Sequence, residues 1–411
     1  MAVSTDFAPP FKLIAPYFVL GVLDMFIAIL LLLNVDVTSI TQTDATTIAW
    51  VHLFLLGFVM MVIFGAMAQL VPVVLEVGHF AVDLYYIIYP LLFVGSFMMS
   101  YGFLFAPGVL PYGGVVVLIS LLVFIFETFM TINKVKKFNT VMTSVVIANV
   151  FLLLGLIVGI TMALGYAGEI EVNLSWLLRA HVYLVLFGYV GITIMGISMV
   201  LLPMFWLSHS FSWKPVKTAL WLLSTGVVLV LFAALFETEM LAYAGYTLSL
   251  LSLGFYIYQI YIIYKTRVRI ENDIYKRALV FSYISFVVAL VLGAVGFLAE
   301  SERVFVAAGF LALLGFVTFL IVGHLYKIVP FLVWYQRFSD LVGKQKVPML
   351  ADMVPARSAL FGYAFNTTGV TLATLGILLG SNAIFHAAVS FLLIGSVFVV
   401  KDIFYMINFK G

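Results

Sequence analysis

The sequence predicts an all-α fold: a polytopic membrane protein of 12 transmembrane helices in three four-helix units. Three observations predict it. The composition is extremely apolar, the apolar residues fall into twelve long runs, and a glycine–proline frame recurs on every fourth run. Of 411 residues, 65% are hydrophobic and 9% charged, where a soluble domain carries about 25% charged residues. Two soluble domains of this total length would need polar surface that the chain lacks, so most of its solvent is lipid. Cysteine is absent, which excludes disulfides, thiolate metal sites and iron–sulfur clusters. Residues 1–11 are short, carry no basic run and lead straight into an apolar segment, so no cleavable signal peptide is expected.

A spanning helix needs about 20 apolar residues. Polar and Gly/Pro clusters divide the chain into runs at 12–34, 46–75, 83–105, 111–132, 140–165, 174–206, 216–236, 240–264, 274–299, 304–336, 357–380 and 383–407. The runs are continuous rather than alternating, unlike the strands of a transmembrane barrel. The whole chain, 1–411, reads as one integral membrane domain with units at 12–132, 140–264 and 274–407.

Loop charges alternate along the chain. Lys134, Lys136 and Lys137 follow helix 4, and Lys214 and Lys217 follow helix 6. Lys265, Arg267, Arg269, Lys276 and Arg277 follow helix 8, and Arg337, Lys344, Lys346 and Arg357 follow helix 10. The opposite loops hold Asp36, Asp44, Glu169, Glu171, Glu237, Glu239, Glu300 and Glu302, with Arg303 the one exception. Basic loops stay inside, so both termini are expected in the cytoplasm, with the protein in a bacterial inner membrane.

The repeat is read from three prolines, Pro72, Pro203 and Pro330, near the ends of helices 2, 6 and 10. Seven residues earlier stand Gly65, Gly196 and Gly323; fifteen earlier stand Gly57, Gly188 and Gly315. The last three open the triplets Gly57, Phe58, Val59; Gly188, Tyr189, Val190; and Gly315, Phe316, Val317. Small residues let membrane helices approach closely, so these glycines are expected at helix contacts. Helices 2, 6 and 10 are then equivalent and parallel.

In that frame His52 lies twenty residues before its proline and His181 twenty-two before its own. The difference in depth is about 3 Å at 1.5 Å per residue. His386, near the start of helix 12, is expected at a similar level, and Arg179 lies two residues before His181. Ionisable groups inside a membrane are costly and usually functional. Neutral imidazoles fill axial positions of heme iron, and Arg179 is placed to meet propionates or to anchor the helix at the interface. The alternative for each histidine is a hydrogen bond to a neighbouring helix.

His324 is six residues before Pro330, about 20 Å deeper than His52 on its equivalent helix, and is not expected to share a ligand with it. His79 and His209 fall beyond the ends of helices 2 and 6, where with Glu76, Lys327 and Gln69 they are candidates for a polar pocket. Glu127 on helix 4 is expected to snorkel to the near face. Asp24, midway along helix 1 in "GVLDMFIA", is the costliest residue in the chain. It is expected to be protonated or paired with a hydroxyl or amide, and is the candidate for a proton relay. No phosphate-binding loop, nucleophile triad or nucleic-acid patch is present.

Twelve helices, threefold units and a histidine on helix 2 resemble the catalytic subunit of the heme-copper oxidases, a superfamily that includes nitric oxide reductases. His52 in "AWVHLFLLGFVMMVIFG" resembles the low-spin heme ligand of its helix 2, and His181 in "LLRAHVYLVLFG" resembles the copper ligand of its helix 6. The phrase "HLFLLGFV…LVP" is also similar to the NnrS family of membrane heme proteins linked to nitric oxide. Helix 7 has no histidine and helix 10 only His324, so the resemblance implies a b-type heme without copper or oxygen reduction. It implies electron transfer or the binding or metabolism of nitric oxide or oxygen, as an oxidoreductase, with a respiratory or c-type cytochrome as redox partner and the bilayer as surroundings. The heme would lie between His52 and His181, or between His52 and His386. Two further functions stay open: a transporter or channel using Asp24 and the polar pocket, and a cofactor-free scaffold subunit of a respiratory complex.

The charge pattern makes the topology testable. A reporter active only outside the cytoplasm should work when fused after Glu171 or Glu239 and be silent after Lys137 or Arg269; the reverse would invert the orientation.

Overall fold

In the computed structural model, residues 7 and 9–410 are described. They form twelve long helices: α1 (Phe11–Asn34), α2 (Ala45–Leu75), α3 (Val82–Leu104), α4 (Pro107–Ile132), α5 (Thr140–Tyr166), α6 (Leu174–Trp206), α7 (Lys214–Phe236), α8 (Glu239–Lys265), α9 (Ile274–Leu298), α10 (Glu302–Leu341), α11 (Ala356–Leu379) and α12 (Asn382–Ile407). No strand occurs among the described residues beyond one isolated bridge, Ser208 to Arg267. The chain is an all-α polytopic membrane protein. Eleven of the helices are apolar and long enough to cross a bilayer. The remaining one, α11, has 24 residues, or about 36 Å at 1.5 Å per residue, but carries Asn366 and several threonines. Thr367, Thr371 and Thr374 each donate to the carbonyl four residues back, at 2.8–2.9 Å. Their hydroxyls are thereby satisfied inside the helix and need no water.

The described residues form two compact units. One holds α1–α3, α4 as far as residue 124, and α9–α12; the other holds residues 75–80 and 125–270, with α5–α8. The first is centred on α2 and α10. Trp50 of α2 stacks on Phe310 of α10 at 4.4 Å, and Phe64 of α2 stacks on Phe124 of α4 at 3.7 Å. In the second, α7 and α8 form a tight hairpin turned by Glu237 in the left-handed conformation. Gly226 and Gly245 lie against each other's backbone there: a Cβ on either would meet the other's carbonyl oxygen at 2.8 Å.

The three long helices α2, α6 and α10 share a feature that spacing alone did not reveal. Each contains a π-helical segment: Leu53–Met60, Tyr183–Gly191 and Leu311–Val317. These segments enclose Gly57, Gly188 and Gly315 with their aromatic–valine pairs. In α10 the Thr318 hydroxyl donates to the Leu313 carbonyl five residues back, in the π register. The helices run past their prolines, and α2 and α6 end alike: Glu76 and Leu207, each four residues after its proline, are left-handed at φ 54° and 51°. The chain continues as helix through the matching place in α10, as far as Phe338.

Each glycine frame receives the helix that precedes it in the chain, in one register. A Cβ on Gly57 would lie 2.7 Å from Asp24 Oδ2 of α1; on Gly188, 2.8 Å from Phe151 Cβ of α5; on Gly315, 2.7 Å from Ser285 Cβ of α9. Seven residues earlier on those helices, Tyr17, Ser144 and Ala278 meet Gly65, Gly196 and Gly323. The offsets agree: 24 − 17, 151 − 144 and 285 − 278 are all 7. Three helix pairs with unrelated contact residues thus pack by one geometry, as membrane helices do where small residues remove the steric barrier.

The tightest frame gives a stability test. A Cβ on Gly196 would collide with Ser144 Oγ, whereas nothing lies within 4 Å of one on Gly254. Gly196→Ala should lose about 1–3 kcal/mol to overpacking, read as a lower Tm in detergent, and Ser144→Gly should restore it. Gly254→Ala should leave the protein as stable or gain about 0.5–1 kcal/mol from the lower helix cost of alanine.

Candidate functional site

The heads of the π segments carry different residues in the three helices. Five residues before the first frame glycine stand His52, Tyr183 and Phe310; seven before it stand Trp50, His181 and Ala308. The same backbone therefore presents an imidazole at one place in α2 and at another in α6. Neither imidazole has a counterpart in α10.

His52 is half-buried, with its ring 5.0 Å from that of Phe103 on α3. Its Nδ1 lies 2.8 Å from the Ile48 carbonyl oxygen. A carbonyl only accepts, so Nδ1 carries the proton and the lone pair of the neutral ring is on Nε2. A backbone carbonyl on the far nitrogen is the usual arrangement for an imidazole that ligates a metal, fixing tautomer and ring direction. His181 makes the same bond, Nδ1 to the Gly155 carbonyl at 3.0 Å, with its ring over Gly159, where a Cβ would come within 3.1 Å of Cε1. His386 is different. Its Nε2 binds the Val35 carbonyl at 3.1 Å, which reserves Nδ1 as the acceptor and ties α12 to the loop after α1. Arg179 is bound on two sides: Nη1 donates to both oxygens of Glu239 at 2.9 and 3.0 Å, and the guanidinium stacks on Trp176 at 4.4 Å.

Asp24 is fully buried, and neither carboxyl oxygen has a hydrogen-bond partner among the described residues. The expected hydroxyl or amide partner is not there; its neighbour is the bare backbone of Gly57. His324 is buried, with Nδ1 on the Leu320 carbonyl at 2.7 Å and Nε2 3.4 Å from the Tyr275 hydroxyl. The residues proposed for a polar pocket have separate partners. His79 Nδ1 is 2.9 Å from Glu127 Oε1, which also accepts the Thr131 hydroxyl at 2.7 Å. Glu127 is thus a buried acceptor and does not snorkel, because a histidine and a threonine satisfy it where lipid would not. Lys327 instead pairs with Asp273 at 2.6 Å. Gln69 keeps a buried carbonyl oxygen without a partner, while Glu76 and His209 are exposed. Among the described residues no three His, Asp or Glu side chains gather as a metal ion would require. An iron porphyrin needs only one or two imidazoles.

One buried carboxyl escaped the sequence reading. Asp402 of α12 is fully buried, and its Oδ2 accepts the Tyr326 hydroxyl of α10 at 2.6 Å. The only signal was a single acid in "VVKDIFYM", close enough to the helix end to pass for an interfacial residue.

No family model matches the chain, and no curated protein is significantly similar to it.

The loop that His386 fastens is also held by Asp36. Oδ1 of Asp36 accepts from the Thr38 hydroxyl at 2.7 Å, the Asn382 amide at 2.7 Å and the Thr38 N–H at 2.9 Å. These bonds, the Thr38 hydroxyl foremost, hold its carboxyl at about 2 against an ordinary 3.8. A depressed carboxyl favours the folded loop above its unfolded value, and the contribution is lost as pH falls from 3.8 toward 2. Amide exchange at Val37 and Thr38 should therefore quicken across that window, and Asp36→Asn should remove the dependence.

Proposed function

We propose that this chain is a membrane heme protein in which His52 is an axial ligand of a b-type heme, serving electron transfer or the binding or metabolism of a small gas such as nitric oxide or oxygen. One observation carries the reading. The Nδ1–H of His52 is spent on the Ile48 carbonyl, which leaves the Nε2 lone pair at the head of a π segment. π segments recur at functional sites because they turn side chains out of the regular helical row. His181 has the same tautomer, fixed by Gly155, and Gly159 makes room for its ring. His386 spends its Nε2 on Val35 and would ligate only through Nδ1.

When bound, the heme supplies one-electron and diatomic-gas chemistry; the chain's own residues orient the imidazole and shield it. Phe103 packs beside the His52 ring. On this reading the protein is a divergent relative of the heme-copper oxidase catalytic subunit or of NnrS, without the copper centre, working in a bacterial inner membrane with both termini in the cytoplasm. A respiratory or c-type cytochrome would be its redox partner.

A second reading, proton-coupled transport, is favoured by the unpartnered carboxyl of Asp24. A reduced-minus-oxidised visible spectrum of the purified protein separates the two. The heme reading expects a Soret band and a six-coordinate low-spin spectrum, converted to high-spin or heme-free by His52→Ala and unchanged by His324→Ala. The same substitution at His181 and at His386 identifies the second ligand. A low-spin spectrum that survives His52→Ala, or no Soret band from heme-replete cells, would remove the assignment.

A further inference from the structure

Inside the first unit, α1, α9, α10, α11 and α12 leave a cavity of about 20 Å³ between them. By volume it holds about one water-sized molecule. Its walls are Met25 of α1, Ala278 of α9, Phe319 and Val322 of α10, Ala359 of α11 and Val399 of α12, all buried. Met25 lies fourteen residues beyond the start of α1, about 21 Å along the helix, so the cavity reaches the middle of the unit.

Four polar side chains also border the cavity, and three are committed elsewhere. The Thr318 hydroxyl donates to the Leu313 carbonyl at 3.1 Å, within its own helix. The Tyr326 hydroxyl donates to Asp402 Oδ2 at 2.6 Å. The Asn366 amide lies against α12, where a Cβ on Gly395 would come within 2.5 Å of its Oδ1. The fourth, Tyr363, is half-buried, with its ring perpendicular to that of Phe319 at 6.0 Å and Arg277 acting on its hydroxyl. A buried water needs about two to four polar partners, and apolar cavities that lack them stay dry and accept small apolar guests.

Among the described residues that line the cavity, only Ile274 and Tyr363 are half-buried rather than buried. They stand near the starts of α9 and α11 and mark an opening between those two helices. Val280 of α9 and Leu360 and Phe361 of α11 are exposed apolar neighbours of that opening, as residues in contact with lipid are.

We propose that this cavity is a dry binding site for one small apolar gas molecule, dioxygen or nitric oxide, taken up from the bilayer between α9 and α11. Such gases dissolve better in lipid than in water and bring no hydrogen bonds to satisfy. A space the size of one water is too short to seat an acyl chain. The inner end of the cavity adjoins the Asp24–Gly57 contact, five residues along α2 from His52. A heme at His52 would then have gas held within its own unit, but the site rests on the cavity alone and stands with or without a heme.

Methyl NMR of the full chain in lipid nanodiscs, with 13C-labelled methionine methyls, tests it under oxygen pressure against the same pressure of nitrogen. Dioxygen is paramagnetic and speeds the relaxation of nuclei beside it. The Met25 methyl should relax several-fold faster under oxygen, well beyond Met195, which is equally buried and does not line the cavity. Ala359→Val and, on another helix, Val322→Ile add bulk to the wall, and each should cut the excess while the other methionine signals stay in place. Equal relaxation of Met25 and Met195, or an excess unchanged in both variants, would overturn the site. So would cross-relaxation from the Met25 methyl to water, which would make the cavity wet, or to acyl chains, which would make its occupant a lipid.

Discussion

The fold depends on how closely one helix can approach another when lipid surrounds both. Between membrane helices there is little hydrophobic drive, and what remains is dispersion and hydrogen bonding at short range. Here the short range is supplied by two glycines seven or eight residues from a partner glycine or proline on α2, α6 and α10, each covered by the helix that precedes it in the chain. A π segment lies at each upper contact. One residue more per local turn rotates everything beyond it by about 100° relative to a regular helix. The stretch ahead of the glycine, where His52 and His181 sit, is thereby aimed independently of the stretch behind it, which holds the lower glycine and the proline.

Polar groups inside the helices divide into two populations. Most are closed on themselves: the α11 threonines on their own carbonyls, Ser100 on the Ala49 carbonyl, and Glu127 among His79 and Thr131. These hold helices together and leave nothing over. Asp24 belongs to the second population: neither of its carboxyl oxygens has a hydrogen-bond partner among the described residues. Such a group is costly where water cannot reach, and the fold bears that cost beside Gly57 in the first unit.

Helix positions were legible because lipid demands length and hydrophobicity, and both are local properties of the sequence. Only α11 fell short by composition, since its threonines look polar until their hydroxyls are seen folded back on the helix. The Gly-aromatic-Val spacing falls on the three π segments, yet nothing in that spacing announced the π geometry at the same residues. Partnerships were the least legible level. His79 meets a glutamate 48 positions away, and Asp402 a tyrosine 76 away. No local pattern encodes either pair, so Glu127 read as a snorkelling charge and Asp402 passed unnoticed. Arg303, the exception among the acidic loops, donates to the Thr38 carbonyl, which accounts for a cation where the charge pattern had none.

The upper glycine slot takes a carboxylate from α1, a phenyl ring from α5 and a hydroxymethyl group from α9, all in one register. The two sides of this contact therefore tolerate substitution very differently. On the glycine side a new side chain has no space to occupy. On the facing side the three contacts hold a carboxyl, a phenyl ring and a hydroxymethyl group, which share neither size nor polarity. A scaffold with this recurring contact can gain or lose an ionisable group in its interior by a single substitution on the facing helix, with the backbone already fitted to receive it.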